Sequence, residues 1–230
     1  MKTILYSIVF LFAVTISARS QSMWGINTKI YQTKGDFNKN VDTAPVGLSF
    51  NWLYRIKESK FSIGAELGVA MYANNRYKYD LPSGGTVFID EEDCFWTIHA
   101  DLRYYIYEVH ALKAYAQGRL GMTTFFSSRM TTEFTPEYED TFEFHGTAFN
   151  VGLGGGVLIN FKGVFGKEKK QGTVNLDMGV SLHTGSATEY RFMAENSQST
   201  TLNNGTFQSV TNYVDYRVGL IFIPAARKNN

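Results

Sequence analysis

The chain has 230 residues, with 22 lysines and arginines against 21 aspartates and glutamates. That near-neutral balance gives no reason to expect a nucleic-acid surface, and the lone cysteine, Cys94, cannot form an internal disulfide. Eighteen Phe, 14 Tyr and 21 Gly beside four Pro describe a β protein with many close backbone approaches.

The opening MKTILYSIVFLFAVTISARSQS carries a basic Lys2, an apolar run from Ile4 to Ile16, and a small-x-small pattern at Ala18-Arg19-Ser20. This is the pattern of an export signal spanning 1–20, with cleavage expected after Ser20. The apolar run falls short of the about 20 residues a membrane-crossing helix needs. No cysteine follows it to take a lipid anchor, and no second apolar run appears. Residues 21–230 are expected to form one domain, and any membrane residence must come from strands.

Eight segments alternate with the period of two expected of strands that have one apolar face. The first, 24–31, sets Trp24, Ile26 and Ile30 against Asn27 and Lys29. The second, VGLSFNWLYRI (46–56), sets Val46, Leu48, Phe50, Trp52, Tyr54 and Ile56 against Gly47, Ser49, Asn51 and Arg55. The third, 61–71, carries Glu66 on its polar face, and the fourth, 96–106, carries His99, Asp101 and Arg103. The fifth, 114–125, is the weakest, with Gln117 and Arg119 opposite Ala116, Leu120 and Met122. The sixth, 149–161, alternates Val151, Leu153 and Val157 with Asn150 and glycines. The seventh, 174–183, carries Asn175, Asp177, Ser181 and His183, and the eighth, 214–222, carries Asp215 and Arg217.

The joins alternate in length. Short ones follow segments two and four, and KGVFGKEKKQG follows the sixth; the stretches 32–45, 73–93, 127–146 and 184–209 are long. Short turns on one side and long loops on the other fit an eight-stranded antiparallel transmembrane β-barrel, its turns periplasmic and its loops extracellular.

Magnitude decides which face meets lipid. A single Arg at the midplane of a barrel's outer face costs about 2–4 kcal/mol, so the apolar faces are expected outward. The polar faces then line a lumen that eight strands leave just wide enough for side chains to fill. That lumen holds Glu66, Asp101, Asp177 and Asp215 against Lys29, Arg55, Arg103, Arg119 and Arg217, a set expected to pair as one network that includes Asp101 and Arg103. Aromatics near strand ends suggest interfacial girdles: Trp24, Tyr54, Phe61, Tyr104, Phe161 and Phe222 below, Trp96 and Phe149 above. A soluble barrel of lipocalin type would bury the same apolar face inside, where tryptophans at strand ends are out of place.

With its signal peptide, its eight alternating segments and the closing Tyr216-Arg217-Val218-Gly219-Leu220-Ile221-Phe222, the chain resembles the OmpA/OmpX-like outer-membrane barrel superfamily. Size and style look most like the Bacteroidota members, among them PorT-like barrels. The resemblance covers about residues 23–223 and is architectural. It implies the outer membrane of a Gram-negative bacterium, contact with lipopolysaccharide, and recognition by the barrel-insertion machinery through Tyr216, Gly219 and Phe222. The tail IPAARKNN departs from that signal, which ordinarily ends the chain.

Motifs for chemistry are sparse. His183 and Ser186, with Glu189 to orient the His, resemble the rim pair of barrels that deacylate lipid A, but His183 falls on the lumen face. Asp90-Glu91-Glu92-Asp93 and the run Glu133, Glu137, Glu139, Asp140 and Glu143 could meet divalent cations, although solvated faces are the commoner use of such runs. The same holds for Lys167, Lys169 and Lys170 towards anionic headgroups. His99, His110 and His145 lack metal-ligand spacing, and Gly154-Gly155-Gly156 lies mid-strand, where it makes room for bulky neighbours. No cofactor, metal or catalytic set is expected. The reading is a non-enzymatic barrel that presents its loops to a partner, as a scaffold, an adhesin-like protein or an accessory subunit of a secretion or assembly complex. Lipid-A modification and passage of small hydrophobic molecules are the alternatives.

Overall fold

Each alternating segment becomes one stave of a barrel. The structure, a computed structural model, describes residues 20–41, 44–56, 59–80, 86–109, 111–132, 139–161, 172–191 and 206–224. The expected export signal, apart from Ser20, lies outside the described residues. The elements are β1 (Ser20–Lys34), α1 (Gly35–Asn40), β2 (Val46–Ile56), β3 (Phe61–Asp80), β4 (Thr86–Glu108), β5 (Leu112–Thr132), β6 (Glu139–Asn160), β7 (Thr173–Gly185), β8 (Ala187–Arg191), β9 (Thr206–Val210) and β10 (Asn212–Ile223). Eight of them close an antiparallel barrel in the order β1-β10-β7-β6-β5-β4-β3-β2, while β8 and β9 form a separate two-stranded sheet. The seam is sealed by an uninterrupted ladder from Trp24↔Phe222 to Lys34↔Asn212.

The facing is inside-out. Lys29, Glu66, Asp101, Arg103, Arg119, Asp177, Asp215 and Arg217 are buried, whereas Ile26, Leu48, Leu67, Leu102, Leu120 and Val218 are exposed on the outer wall. Hydrocarbon is the only surrounding in which that distribution is favourable, so the wall crosses a membrane. A soluble barrel would show the reverse.

Aromatic pairs mark the lower edge of the lipid belt. Trp24 packs on Phe222 at 5.2 Å, Trp52 on Tyr54 at 4.8 Å, and Phe61 on Tyr104 at 4.9 Å. Trp52 thus belongs to the girdle although the sequence reading left it out. Trp96 packs on Phe126 at 5.4 Å at the upper edge. The run from Tyr104 to Trp96 spans roughly 20 Å of height at a strand tilt near 40°, close to the apolar band of such barrels.

Above that belt the structure departs from expectation. β3, β4, β5 and β6 are 20, 23, 21 and 22 residues long, about twice what a crossing strand needs. Much of 73–93 and 127–146 is therefore paired strand rather than loop: the β3–β4 ladder continues from Ala73↔Asp93 to Asp80↔Thr86. The β5–β6 ladder continues from Ser127↔Glu143 to Thr131↔Glu139. Backbone pairing simply carries on once lipid no longer dictates a face. The 32–45 stretch holds α1, and 184–209 holds β8 and β9.

Candidate functional site: a closed lumen and a raised sheet

The lumen is built in three tiers. At the periplasmic end, Met23, Leu53, Tyr105, Leu158, Ile221 and Ile223 form an apolar floor. Above it lie four cations and four carboxylates. The Lys29 ammonium sits between the carboxylates of Glu66 and Asp215. Arg119 is the hub: it reaches Glu66 at 3.1 Å, Asp101 at 3.2 Å and Asp215 at 2.5 Å. Arg103 pairs with Asp177 at 3.2 Å, and its guanidinium lies 4.6 Å from the centre of the Tyr115 ring. The Tyr115 hydroxyl donates to Asp177 and accepts from Arg217, which also donates to Gln117 Oε1 at 2.9 Å.

Eight of the nine expected network residues therefore meet in the lumen. Arg55 does not. It sits at the periplasmic rim, holding Glu108 through both guanidinium nitrogens at 2.8 and 2.5 Å, with Lys113 3.3 Å from the same carboxylate. Within the network Asp101 pairs with Arg119 and Arg103 with Asp177. Same-face residues of one strand are spread along it, while the narrow lumen brings side chains from opposite staves together.

The sequence reading set His99 and His183 on the lumen face but left them out of the network that they flank. His183 stacks on Tyr213 with ring centres 4.6 Å apart, and its Nε2 lies 3.3 Å from Asp215 Oδ2. His99 Nε2 donates to Asn150 Oδ1 at 2.6 Å, and the two histidine rings lie 5.2 Å apart. Their lumen-facing parity was the available signal. Room for these rings comes from glycine: a Cβ on Gly152 would stand 2.6 Å from the His183 ring, and one on Gly156 would overlap the Tyr115 hydroxyl.

An aromatic cap closes the outer end. Tyr31, Tyr72, Phe95, Phe125 and Tyr213 point inward from the staves, and Phe37 and Val41 descend from α1 and its end. Tyr190 of β8 completes the seal, with Phe37 5.0 Å from its ring and 5.7 Å from that of Phe125.

The candidate chemistry does not assemble. His183 is buried in the lumen, while Ser186 is exposed at the wall and its Oγ accepts from the Phe149 backbone N–H at 3.0 Å. The acidic quartet at 90–93 splits by parity: Asp90 and Glu92 face out and Glu91 and Asp93 are buried. Asp90 pairs with Arg76 at 3.3 Å, and the Ser127 hydroxyl donates to Asp93. Among the described residues no group of three or more His, Cys, Asp and Glu is placed to hold a metal ion. Glu133, Glu137, Lys167, Lys169, Lys170 and His110 lie outside the described residues. Of the closing strand, Tyr216 is exposed to lipid, Phe222 packs on Trp24, and Gly219 admits the Ile26 carbonyl, which a Cβ would overlap.

No protein-family model matches the chain, and no curated protein matches it. Among solved structures it is similar to Neisserial surface protein A, at 12% identity over 89% of this chain and 97% of that one, with a TM-score of 0.47. It is similar also to Ail, the attachment invasion locus protein of Yersinia pestis, at 14% identity, 89% and 97% coverage and a TM-score of 0.35. A major outer membrane protein of Thermus thermophilus matches at 14% identity, 88% and 98% coverage and a TM-score of 0.39. Likenesses of this strength transfer no function.

Proposed function

We propose that the chain is a non-enzymatic outer-membrane barrel that works through its extracellular surface, presenting β3–β6 to a protein partner as a scaffold, adhesin-like protein or accessory subunit. One observation supports this reading above the others. The lumen is filled from floor to cap while four staves rise well beyond the lipid belt, so the elaborated part of the molecule is the outer one. A conducting pore is disfavoured because an ion would have to displace Arg119 and Lys29 from their carboxylates, at several kcal/mol each. Lipid-A chemistry is disfavoured because His183 faces away from lipid and Ser186 faces away from His183.

The Bacteroidota PorT-like assignment and the insertion role of Tyr216, Gly219 and Phe222 belong to the same reading. Shortening the raised β3–β4 and β5–β6 hairpins to belt height tests it. Loss of a partner co-purified from gently solubilised outer membranes, with insertion retained, is the expected result. Conductance of the intact barrel, or a lipid A mass that changes when the protein is deleted, would overturn it.

A further inference from the structure

Beneath the cap the lumen charges are already matched. Each of Glu66, Asp101, Asp177 and Asp215 answers to at least one of Lys29, Arg103, Arg119 and Arg217. His99 and His183 are buried among them as two further ionisable groups, with no carboxylate of that set left over.

His183 is placed to act on the cap. Its ring stacks on Tyr213, a cap residue, with only 14° between the planes. Its Nε2 lies 3.3 Å from Asp215 Oδ2, the same oxygen that Lys29 and Arg119 hold at 3.2 and 2.5 Å. Tyr213 packs on Tyr31, Tyr31 on Phe95, Phe95 on Phe125, and Phe125 on Phe37 of α1. An unbroken run of rings thus joins the histidine to the segment that closes the mouth.

We infer that His183 is an acid-sensitive latch: a proton on its ring loosens the cap and frees α1. In water a histidine takes up a proton at about pH 6.5. In the closed lumen that proton would make His183 a third cation on one Asp215 oxygen. The groups that face it offer no relief. Lys29 of β1 and Arg119 of β5 repel the new charge, and Glu66 of β3 is already shared by both of them. The His99 ring of β4 stands 5.2 Å away, β6 brings only Gly152 against the ring, and the Tyr213 hydroxyl of β10 gains no charge in acid. Opening the mouth hydrates His183 and removes the conflict. The open form therefore holds more protons than the closed form below about pH 6.5, so acid shifts the balance towards opening.

Hydrogen exchange of the full chain in phospholipid nanodiscs, corrected for the intrinsic effect of pH, tests this. The reporter is the Val41 N–H, which donates to the Phe37 carbonyl at 3.0 Å. One histidine hydrated on opening should lower its protection by about tenfold between pH 7.5 and pH 5.5. His183→Phe keeps a ring on Tyr213 but cannot take a proton, and should hold that protection level across the same range. His183→Gln should do likewise, so either variant decides if the other fails to insert. His145→Gln, at a histidine outside the latch, should retain the fall. Protection that does not change with pH in the wild-type chain would overturn the proposal. So would an equal fall in an inserted His183 variant, which would assign the acid response to the carboxylates or to His99.

Discussion

Leu102 and Arg103 are consecutive residues of β4 at one height in the barrel, yet Leu102 is 48% exposed and Arg103 is 0% exposed. The outer side of the wall needs only to be apolar, because lipid adapts to whatever shape it meets. The inner side must pair the charges it holds, because they are buried. Position on the outside is therefore tolerant and position on the inside is exacting. Chemical type alone says little about how much a residue matters here.

Four substitutions break or sharpen that contrast, in falling order of effect. Arg119→Met strips three buried carboxylates of their shared partner, and is expected to cost about 5 kcal/mol in urea unfolding from vesicles. Phe37→Ala should cost about 3 kcal/mol by removing a buried ring from the cap. The same variant should stay silent in planar bilayers, since the ion network beneath remains; current through it would show that the cap alone closes the lumen. Arg55→Ala removes the same side-chain type as the first variant, but at a partly hydrated rim. A loss of about 1 kcal/mol or less, shrinking with added salt, is expected from the same unfolding measurement.

Asp36→Asn is the smallest. The Lys39 hydrogen bond, and then its charge, hold the exposed Asp36 carboxyl below its ordinary range. A depressed folded value means that any stabilisation is present above the unfolded value near pH 3.9 and is lost as pH falls through the folded one. Wild type and variant should thus converge in acid and differ barely, if at all, at neutral pH when cap stability is followed by hydrogen exchange in α1.

The alternation that reveals a stave is a record of lipid on one side, so it was legible only where lipid is present. All eight crossings, the outward face and the balanced interior could be read from it. The upper halves of β3 to β6 could not. In NNRYKYD and VFIDEED water bathes the outer face, the period of two fades, and only backbone pairing holds the strand. Phe37 is a lone aromatic in a polar stretch and Tyr190 lies beyond the last residue of the seventh alternating segment; the burial of both depends on tertiary contacts that leave no local pattern. Partner choice in the lumen was hidden for a related reason. Arg103 takes Asp177 across the barrel rather than Asp101 on its own strand, a choice set by how the staves are staggered on closing. Arg55 shares their parity but lies one turn of side chains too low, where Glu108 is nearer.

Reversible unfolding of Arg103→Ala and Leu102→Ala in lipid vesicles compares the two sides of the wall at a single height. Arg103→Ala leaves Asp177 short of a buried partner and is expected to cost about 3–5 kcal/mol. Leu102→Ala forfeits only transfer of its side chain into hydrocarbon, with no cavity left behind, and should cost about 1–2 kcal/mol. A larger loss for Leu102→Ala would mean that the apolar face is packed against protein, and negligible loss for Arg103→Ala that the interior is open to water; either contradicts an inside-out barrel with a paired, closed lumen.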